Sequence, residues 1–150
     1  GRTFISPVPD LRALSVEIKL NVIREVVRDK RIVVVDDSII RGTTTKAKIR
    51  HLRDAGASEI HLRITCPPHR FPCYYGIDFP TSDELFATAR SVEEMRDYLG
   101  VDSLAYLSTE GMLSCVSQPR EHYCVACFNG QYAVPPAEQV GKHTMEDRSR

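Results

Sequence analysis

The sequence predicts an α/β fold in which helices flank a parallel β-sheet. One observation is a continuous β-branched run, Ile32-Val33-Val34-Val35, inside the segment from Arg31 to Asp36. Such a run is typical of a strand that is buried on both faces of a parallel sheet. A second observation is that segments with helical spacing alternate with strand-like segments along the 150 residues. This alternation favours a parallel sheet covered by helices.

The first half of the chain predicts two helices and a second strand. Apolar residues at spacings of three and four indicate a helix from about Val16 to Arg28, capped by Ser15. A second helix is expected over about Thr43 to Ala55, ending at Gly56, because glycine accepts the left-handed conformation of a helix terminus. The alternation from Glu59 to Thr65 predicts a strand with one less-buried face.

The second half begins with a Pro-rich, aromatic loop from Cys66 to Pro80. Two capping boxes then predict short helices, Thr81 with Glu84 and Ser91 with Glu94, the second helix ending at Gly100. A third strand is expected from Ser103 to Leu107, followed by a helix that Ser108 caps and that runs to about Val116. Since only about three strands are visible, earlier strands are expected in a preceding portion that is missing here.

Composition limits the classes of partner. Hydrophobic residues make up 42% of the chain and charged residues 27%, and the formal net charge is zero. No basic run is present, so neither nucleic acid nor an anionic membrane is expected as a partner. No apolar stretch approaches the roughly 20 residues that span a bilayer. Five Cys, an odd number, do not form a dense disulfide scaffold, which predicts a reducing, cytoplasmic setting.

A candidate phosphate site lies between Val33 and Thr45. Asp36 and Asp37 follow the apolar run directly, at the carboxyl end of a strand, where ligands bind in open α/β sheets. Gly42 allows a tight turn and a close backbone approach. The run Thr43-Thr44-Thr45 places hydroxyls and unpaired N–H groups at a helix N-terminus, which favours an anion.

Two carboxylates beside an anion site must bind a different part of the ligand, because carboxylates repel phosphate. Asp36 and Asp37 can accept hydrogen bonds from vicinal ribose hydroxyls, or hold Mg²⁺ directly or through water. A ligand with a phosphate at one end and sugar hydroxyls at the other fits both halves of the motif. The alternative is a helix that threonine caps after a polar turn, and that alternative does not explain the whole block.

The block Val33-Val34-Val35-Asp36-Asp37-Ser38-Ile39-Ile40-Arg41-Gly42-Thr43-Thr44-Thr45 resembles the phosphoribosyl pyrophosphate (PRPP) motif of the type I phosphoribosyltransferases. Further segments resemble one family among them, the amidophosphoribosyltransferases. These segments are Gly1 to Ile5, Arg53 to Ala57, Pro72 to Asp78 and Cys124 to Gly130. The resemblance covers about residues 1–134 and implies a partial type I phosphoribosyltransferase fold, a Rossmann-like parallel sheet, with a Cys-containing C-terminal segment.

The resemblance implies a domain organisation. Residues 1–116 correspond to the C-terminal part of a phosphoribosyltransferase domain and residues 117–134 to a cluster-binding segment. The resemblance does not extend to residues 135–150, which are polar, lack periodicity and are expected to be a disordered tail. The family's N-terminal glutaminase domain is expected to be absent from this chain. The full-length protein is expected to be a homo-oligomer.

The resemblance also implies a reaction. Ammonia released from glutamine attacks C1 of PRPP, and phosphoribosylamine and pyrophosphate form in the first committed step of purine synthesis. Asp36 and Asp37 would contact the ribose hydroxyls and Mg²⁺, Ser38 belongs to the same binding turn, and Arg41 to Thr45 would cradle the 5′-phosphate. Arg2 and Lys19 are candidates to meet the charge of pyrophosphate, or are ordinary solvated cations. Residues Gly1 to Leu14 resemble the family's mobile loop.

The cysteines divide into two groups. Cys124-x-x-Cys127 has a chelating spacing, and Cys73 lies far upstream. On spacing alone, structural zinc is favoured over an iron–sulfur cluster, and a redox pair or chance stays open. The resemblance favours a [4Fe–4S] cluster at Cys73, Cys124 and Cys127, with the fourth thiolate outside this chain. Cys66 and Cys115 are interpreted as small buried residues or bystanders.

Two rival functions stay open at this point. A different type I phosphoribosyltransferase, acting on a purine or pyrimidine base, would share the PRPP motif but would not need the later Cys group. A non-catalytic PRPP-binding regulator would be expected to carry a basic DNA-binding element, and the net charge of zero indicates none. The isolated fragment is expected to be inactive by itself.

Overall fold

A computed structural model describes residues 22–77 and 81–134, apart from the side chain of Glu84. In that part of the chain, three strands alternate with helices. The strands are β1 (Arg31–Asp36), β2 (Glu59–Ile64) and β3 (Ser103–Tyr106). The α-helices are α1 (Arg24–Val27), α2 (Thr43–Asp54), α3 (Val92–Leu99), α4 (Thr109–Ser114) and α5 (Ala126–Asn129). Short 3-10 turns cover Ser82–Glu84 and Arg120–His122.

The three strands form one parallel sheet in the order β1-β2-β3. Arg31 lies opposite Glu59 and Asp36 lies opposite Ile64, so β1 and β2 start and end together. On the other side of β2, Ile64 lies opposite Tyr106 of β3. The carboxyl ends of all three strands therefore meet at one edge of the sheet, which we call the carboxyl edge. The predicted α/β class with a parallel sheet is confirmed.

One face of this sheet forms the hydrophobic core with α2 and α3. Ile60, Leu62 and Ile64 of β2 are almost fully buried there, and Ile49 of α2 and Met95 of α3 pack in the same cluster. The alternating burial of β2 follows from its alternating sequence, because successive side chains of a strand point to opposite faces. This confirms the strand with one less-buried face.

The prediction that β1 is buried on both faces of the sheet is wrong for the described part of the chain. Val33 and Val35 are 63% and 65% exposed, so β1 is not buried on both faces in the described part of the chain. Within that part, β1 is also an edge strand and pairs with β2 alone, rather than lying at the centre of the sheet. The β-branched run correctly predicted a strand. Burial of a strand's second face depends on another layer, which a single run of residues does not specify.

The two predicted capping boxes have different outcomes. Ser91 and Glu94 form the reciprocal box at the start of α3, which ends at Gly100 with φ +71°. Thr81 makes no side-chain cap hydrogen bond, and only a 3-10 turn follows it, so the first box is wrong. Just beyond that turn the Phe86 N–H donates to the Ile40 carbonyl at 2.7 Å, which draws the chain towards the turn after β1 instead of into a helix.

From Thr43 onward, most of the remaining helix and strand boundaries lie within two residues of the predicted ones. Helix α2 begins at Thr43 as predicted, and Gly56 adopts φ +98° just beyond its end. Ser108 caps α4 by accepting from the Gly111 N–H, although α4 ends at Ser114. The predicted helix over residues 16–28 is wrong in its described part, because Val22 and Ile23 are not helical, Ile23 has extended backbone angles, and α1 covers only Arg24–Val27. Residues 16–21 of that helix, the loop over residues 1–14 and the tail over residues 135–150 lie outside the described residues.

Candidate functional site

The candidate anion site is the turn that joins β1 to α2. Ile39 is buried and anchors this turn, and Gly42 is the N-cap of α2 with φ +77°. The Lys46 N–H donates to the Gly42 carbonyl at 2.9 Å, which is the first intrahelical bond. The N–H groups of the preceding first turn have no acceptor within a helix, and the helix dipole makes this end positive. Such a terminus is suited to bind a phosphate.

The two acids at the end of β1 lie in different environments. Asp36 is half-buried, and its Oδ2 lies 2.9 Å from Lys48 Nζ on α2. Asp37 is exposed, and its Oδ1 accepts a long hydrogen bond of 3.4 Å from Ser38 Oγ. The Asp37 N–H also donates to Asp36 Oδ1 at 3.2 Å. Asp36 is therefore held by the protein, whereas the carboxylate of Asp37 is presented to solvent.

Lys48 is a residue of this site that no sequence motif marks. Its signal was weak but present, because Lys48 lies between Thr45 and Ile49 on α2, and both of these are buried. A cation one position from a buried helix face can reach back to the strand on which that face packs. An acid twelve residues upstream, at the end of that strand, is then its natural partner.

A second residue that the sequence did not reveal lies beneath Gly42. A Cβ atom added at Gly42 would lie 3.1 Å from the Phe86 ring, so glycine is required for this approach as well as for its positive φ. Phe86 itself is buried. It comes more than forty residues after Gly42, and no local pattern connects the two.

The structure brings most of the predicted PRPP-binding residues onto this one turn. They are Asp36, Asp37, Ser38, Arg41, Gly42, Thr43, Thr44 and Thr45. Thr43 is exposed, Thr44 is half-buried and Thr45 is buried, so the first two are the more accessible hydroxyls. Arg2 and Lys19 lie outside the described residues. Ligand binding at any of these positions stays a prediction.

The end of β2 places a thiol and an imidazole near the same edge. Cys66 Sγ lies 4.0 Å from His69 Nδ1. Burial raises the pKa of Cys66 to about 11, and the charge of Asp37 adds to that shift. Burial lowers the pKa of His69 to about 4, against an opposing effect of Asp37. Both groups are therefore neutral near pH 7, which is the opposite of a thiolate–imidazolium nucleophile. The structural interpretation of Cys66 and His69 is the better one.

The C-terminal segment packs on the loop that follows β2. The Arg70 and Phe71 N–H groups both donate to the Cys127 carbonyl at 3.1 Å. The Tyr132 hydroxyl donates to the Pro72 carbonyl at 2.7 Å, and its ring contacts Tyr74. The segment around α5 is thus held against the loop that carries Cys73.

The three predicted cluster ligands share this neighbourhood. The pKa of Cys127 is raised to about 11, first by burial and then by the nearby Cys73 and Cys124 thiols. All three are free cysteines. Among residues 22–77 and 81–134, however, no group of three or more His, Cys, Asp or Glu side chains is arranged to hold a metal ion as it stands. The donor chemistry fits a thiolate-bound metal centre, and the centre itself stays a prediction.

The chain is similar to known proteins over most of its length. No family profile matches it. An amidophosphoribosyltransferase of Synechococcus elongatus is 48% identical over 145 residues, which is 97% of this chain and 29% of the relative. One from Methanothermobacter thermautotrophicus is 49% identical over 143 residues, 95% of this chain and 30% of the relative. The chloroplastic amidophosphoribosyltransferase 2 of Arabidopsis thaliana is 50% identical over 142 residues, 95% of this chain and 25% of the relative.

The chain is a homologue of part of the amidophosphoribosyltransferases. It spans less than a third of the length of the curated relatives given above, and it matches a C-terminal fragment of them.

Solved structures agree with this similarity and extend it to the fold. The glutamine PRPP amidotransferase from B. subtilis, complexed with ADP and GMP, is 42% identical and superimposes with a TM-score of 0.73. That match covers 94% of this chain and 32% of the other. A structure described as the allosteric regulatory enzyme of purine biosynthesis gives a TM-score of 0.71, also at 42% identity, over 92% of this chain and 30% of the other. The segment has part of a type I phosphoribosyltransferase fold.

Within the described ranges, none of the helices has the length and apolar character needed to cross a lipid bilayer.

Proposed function

We propose that this chain supplies the PRPP-binding turn of a glutamine-dependent amidophosphoribosyltransferase. In that enzyme, ammonia from glutamine replaces the pyrophosphate at C1 of PRPP and gives 5-phosphoribosylamine. The observation that supports this proposal is the turn itself, in which the exposed acid Asp37 follows β1 and precedes by five residues Gly42, the N-cap of α2, where no side chain caps the helix. The names of relatives at 48 to 50% identity support the assignment.

The two ends of the turn suit the two ends of PRPP. The first-turn N–H groups of α2, with the hydroxyls of Thr43 and Thr44, would receive the 5′-phosphate, where the helix terminus favours negative charge. Asp37 would accept hydrogen bonds from the ribose hydroxyls. Asp36, held by Lys48, would keep the end of β1 in place, and because Lys48 offsets its charge, Asp37 would be the main source of the negative potential that attracts Mg²⁺. Bound Mg²⁺ would neutralise part of the pyrophosphate charge.

The reaction requires little proton transfer from this chain. Ammonia is already a nucleophile, so the C–N bond can form as the C–O bond to pyrophosphate breaks, and the excess proton leaves to solvent. The contribution of the turn is to hold PRPP in one orientation, with its phosphate charge matched by oriented N–H groups. Positioning and electrostatic stabilisation of this kind account for much of the rate enhancement in many enzymes.

We further propose that Cys73, Cys124 and Cys127 supply three thiolates to a [4Fe–4S] cluster. The proximity of Cys73 and Cys124 to Cys127 supports this, as does the packing of the Cys127 segment on the loop that carries Cys73. Such clusters take four thiolates, and the fourth would come from outside this chain. Its role would be to pin the C-terminal segment, because glycosyl transfer requires no electron.

Replacement of Asp37 tests the PRPP site. The test uses a full-length amidophosphoribosyltransferase that contains this chain, called the longer enzyme below. In it, Asp37→Ala should lower kcat/KM for PRPP at least about tenfold, equivalent to about 1.4 kcal/mol of transition-state stabilisation. The control is Asp54→Ala, which removes an exposed acid from the far end of α2 and should leave kcat/KM unchanged. Equal kinetics for the Asp37 variant and the parent enzyme would refute the proposed role of this turn.

The nucleophile that is required for pyrophosphate release distinguishes the rival functions. An amidophosphoribosyltransferase releases pyrophosphate from PRPP with glutamine or ammonium as donor. A base phosphoribosyltransferase would release it only with a purine or pyrimidine base. A regulator would bind PRPP, as measured by calorimetry, without releasing pyrophosphate under either condition.

A further inference from the structure

We propose that Phe86 is a positioning residue for the turn between β1 and α2. Its ring supports Gly42 and thereby sets the direction of the first-turn N–H groups of α2. The identity of the anion that those groups receive rests on the function proposed above. The support itself is a property of the fold and can be tested separately.

Phe86 contacts both ends of a three-residue stretch. Its backbone N–H donates to the Ile40 carbonyl at 2.7 Å. Its ring lies 3.1 to 3.2 Å from the position that a Cβ atom at Gly42 would occupy. The backbone from Ile40 to Gly42 is thus held by a hydrogen bond at one end and by close packing at the other. This stretch immediately precedes the helix terminus, so a shift in it would redirect the N–H groups of Thr43 and Thr44.

The Phe86 ring is itself firmly held. It is only 4% exposed, and the Tyr98 ring packs against it with centroids 4.9 Å apart. The Arg90 guanidinium lies over its face at 4.9 Å, and Arg90 Nη1 donates to the Phe86 carbonyl at 3.2 Å. A buried ring held by these two neighbours can transmit a defined position to the backbone of Gly42.

A second anchor holds the residue after Phe86. Arg70 Nη1 donates to the Ala87 carbonyl at 2.7 Å, and Thr88 Oγ1 donates to the Arg70 carbonyl at 3.2 Å. Arg70 is in turn bound through its N–H to the Cys127 carbonyl. A continuous set of contacts therefore runs from the C-terminal segment, through Arg70 and Phe86, to Gly42.

Shortening the Phe86 side chain should loosen the turn. Leucine at this position keeps the backbone bond to Ile40 but leaves space beneath Gly42, whose backbone is then free to move towards it. Displacement of binding groups by about 1 Å can cost about a hundredfold in rate. We therefore expect Phe86→Leu to weaken PRPP binding at least about tenfold, by raising KM for PRPP without changing KM for ammonia.

The experiment compares Phe86→Leu with Leu99→Ala in the longer enzyme. Leu99 is equally buried, but it lies at the end of α3 that precedes β3, away from the carboxyl edge. Leu99→Ala should destabilise the fold as much or more, since removing a buried Leu costs about 2–5 kcal/mol. Hydrogen exchange of the Lys46 amide, which donates to the Gly42 carbonyl, reports on the turn without any ligand.

The expected result is that Phe86→Leu speeds exchange of the Lys46 amide about tenfold or more and weakens PRPP binding, whereas Leu99→Ala lowers Tm without either change. Unaltered exchange in Phe86→Leu, or equal acceleration in both variants, would overturn the proposal. If the parent enzyme binds no PRPP, the proposed function fails, and the exchange measurement still decides whether Phe86 positions the turn.

Discussion

Lys48 Nζ lies 2.9 Å from Oδ2 of Asp36, so the first of the two adjacent acids is paired within the protein. Both side chains are about three-quarters buried, at 26% and 22% exposure, which strengthens their attraction relative to a pair in bulk water. The acid pair therefore divides into one residue that the protein holds and one, Asp37, that it leaves to solvent.

Removing Lys48 should damage both stability and the site. Lys48→Met leaves the largely buried Asp36 carboxylate without its cation. We expect the free energy of unfolding to fall by about 1–2 kcal/mol, between the values for exposed and fully buried pairs. The control is Arg50→Met on the same helix, which breaks only the exposed pair with Asp54 and should cost less than about 0.5 kcal/mol. Urea denaturation measures both. Equal losses of unfolding free energy in the two variants would show that the Lys48–Asp36 pair stabilises the fold no more than an exposed ion pair does.

The cysteine group should bind iron in the longer enzyme. Protein purified without oxygen should be brown and contain about four iron atoms per chain. Cys127→Ser should abolish the colour, whereas Cys115→Ser should preserve it, because Cys115 is exposed on α4's end and its thiol contacts the Gly111 carbonyl. Zinc at about one atom per chain, with no iron, would contradict the iron–sulfur proposal but retain a structural metal.

Acid should destabilise the fold through His69. Burial lowers the pKa of its imidazole from 6.5 to about 4, so the unfolded chain binds a proton more readily than the folded chain. The stability due to neutral His69 is therefore complete above about pH 6.5 and is lost as the pH falls through 4.

His69→Gln should flatten this part of the stability profile by on the order of 1–3 kcal/mol. Thermal or urea unfolding measured from pH 7 to pH 4 provides the slope. His122→Gln, at an exposed position, is the matched control and should keep the parent slope. If His69→Gln has the same slope as the parent protein, the His69 imidazole of the parent titrates normally in the folded chain.

The 150-residue chain alone should be marginally stable and inactive. Val33 and Val35 leave apolar surface open on β1, and β1 has an unpaired edge in the described sheet. We expect no phosphoribosylamine from glutamine and PRPP, and little rescue by ammonium salts. Pyrophosphate release by the purified chain is the assay, with the longer enzyme as positive control. Robust turnover with ammonia would show that the transferase site is complete within these residues.

The sequence by itself determined the class of fold and the position of the turn. The β-branched run predicted β1, the alternation from Glu59 predicted β2, and Ser91 with Glu94 predicted the start of α3. These are local features, because side-chain period and capping depend on neighbours three or four residues away. The run from Asp36 to Thr45 likewise contains its acids, glycine and helix start within one short segment.

Only the tertiary structure decided how those residues are supported. Lys48 reaches Asp36 across the helix–strand interface, and Phe86 reaches Gly42 from a segment far along the chain. Likewise, the exposure of Val33 and Val35 depends on which layers cover the sheet, and not on the valines themselves. Such contacts join residues that are distant in sequence, so no local period or spacing encodes them, and they exist only once the sheet and its helices have packed together.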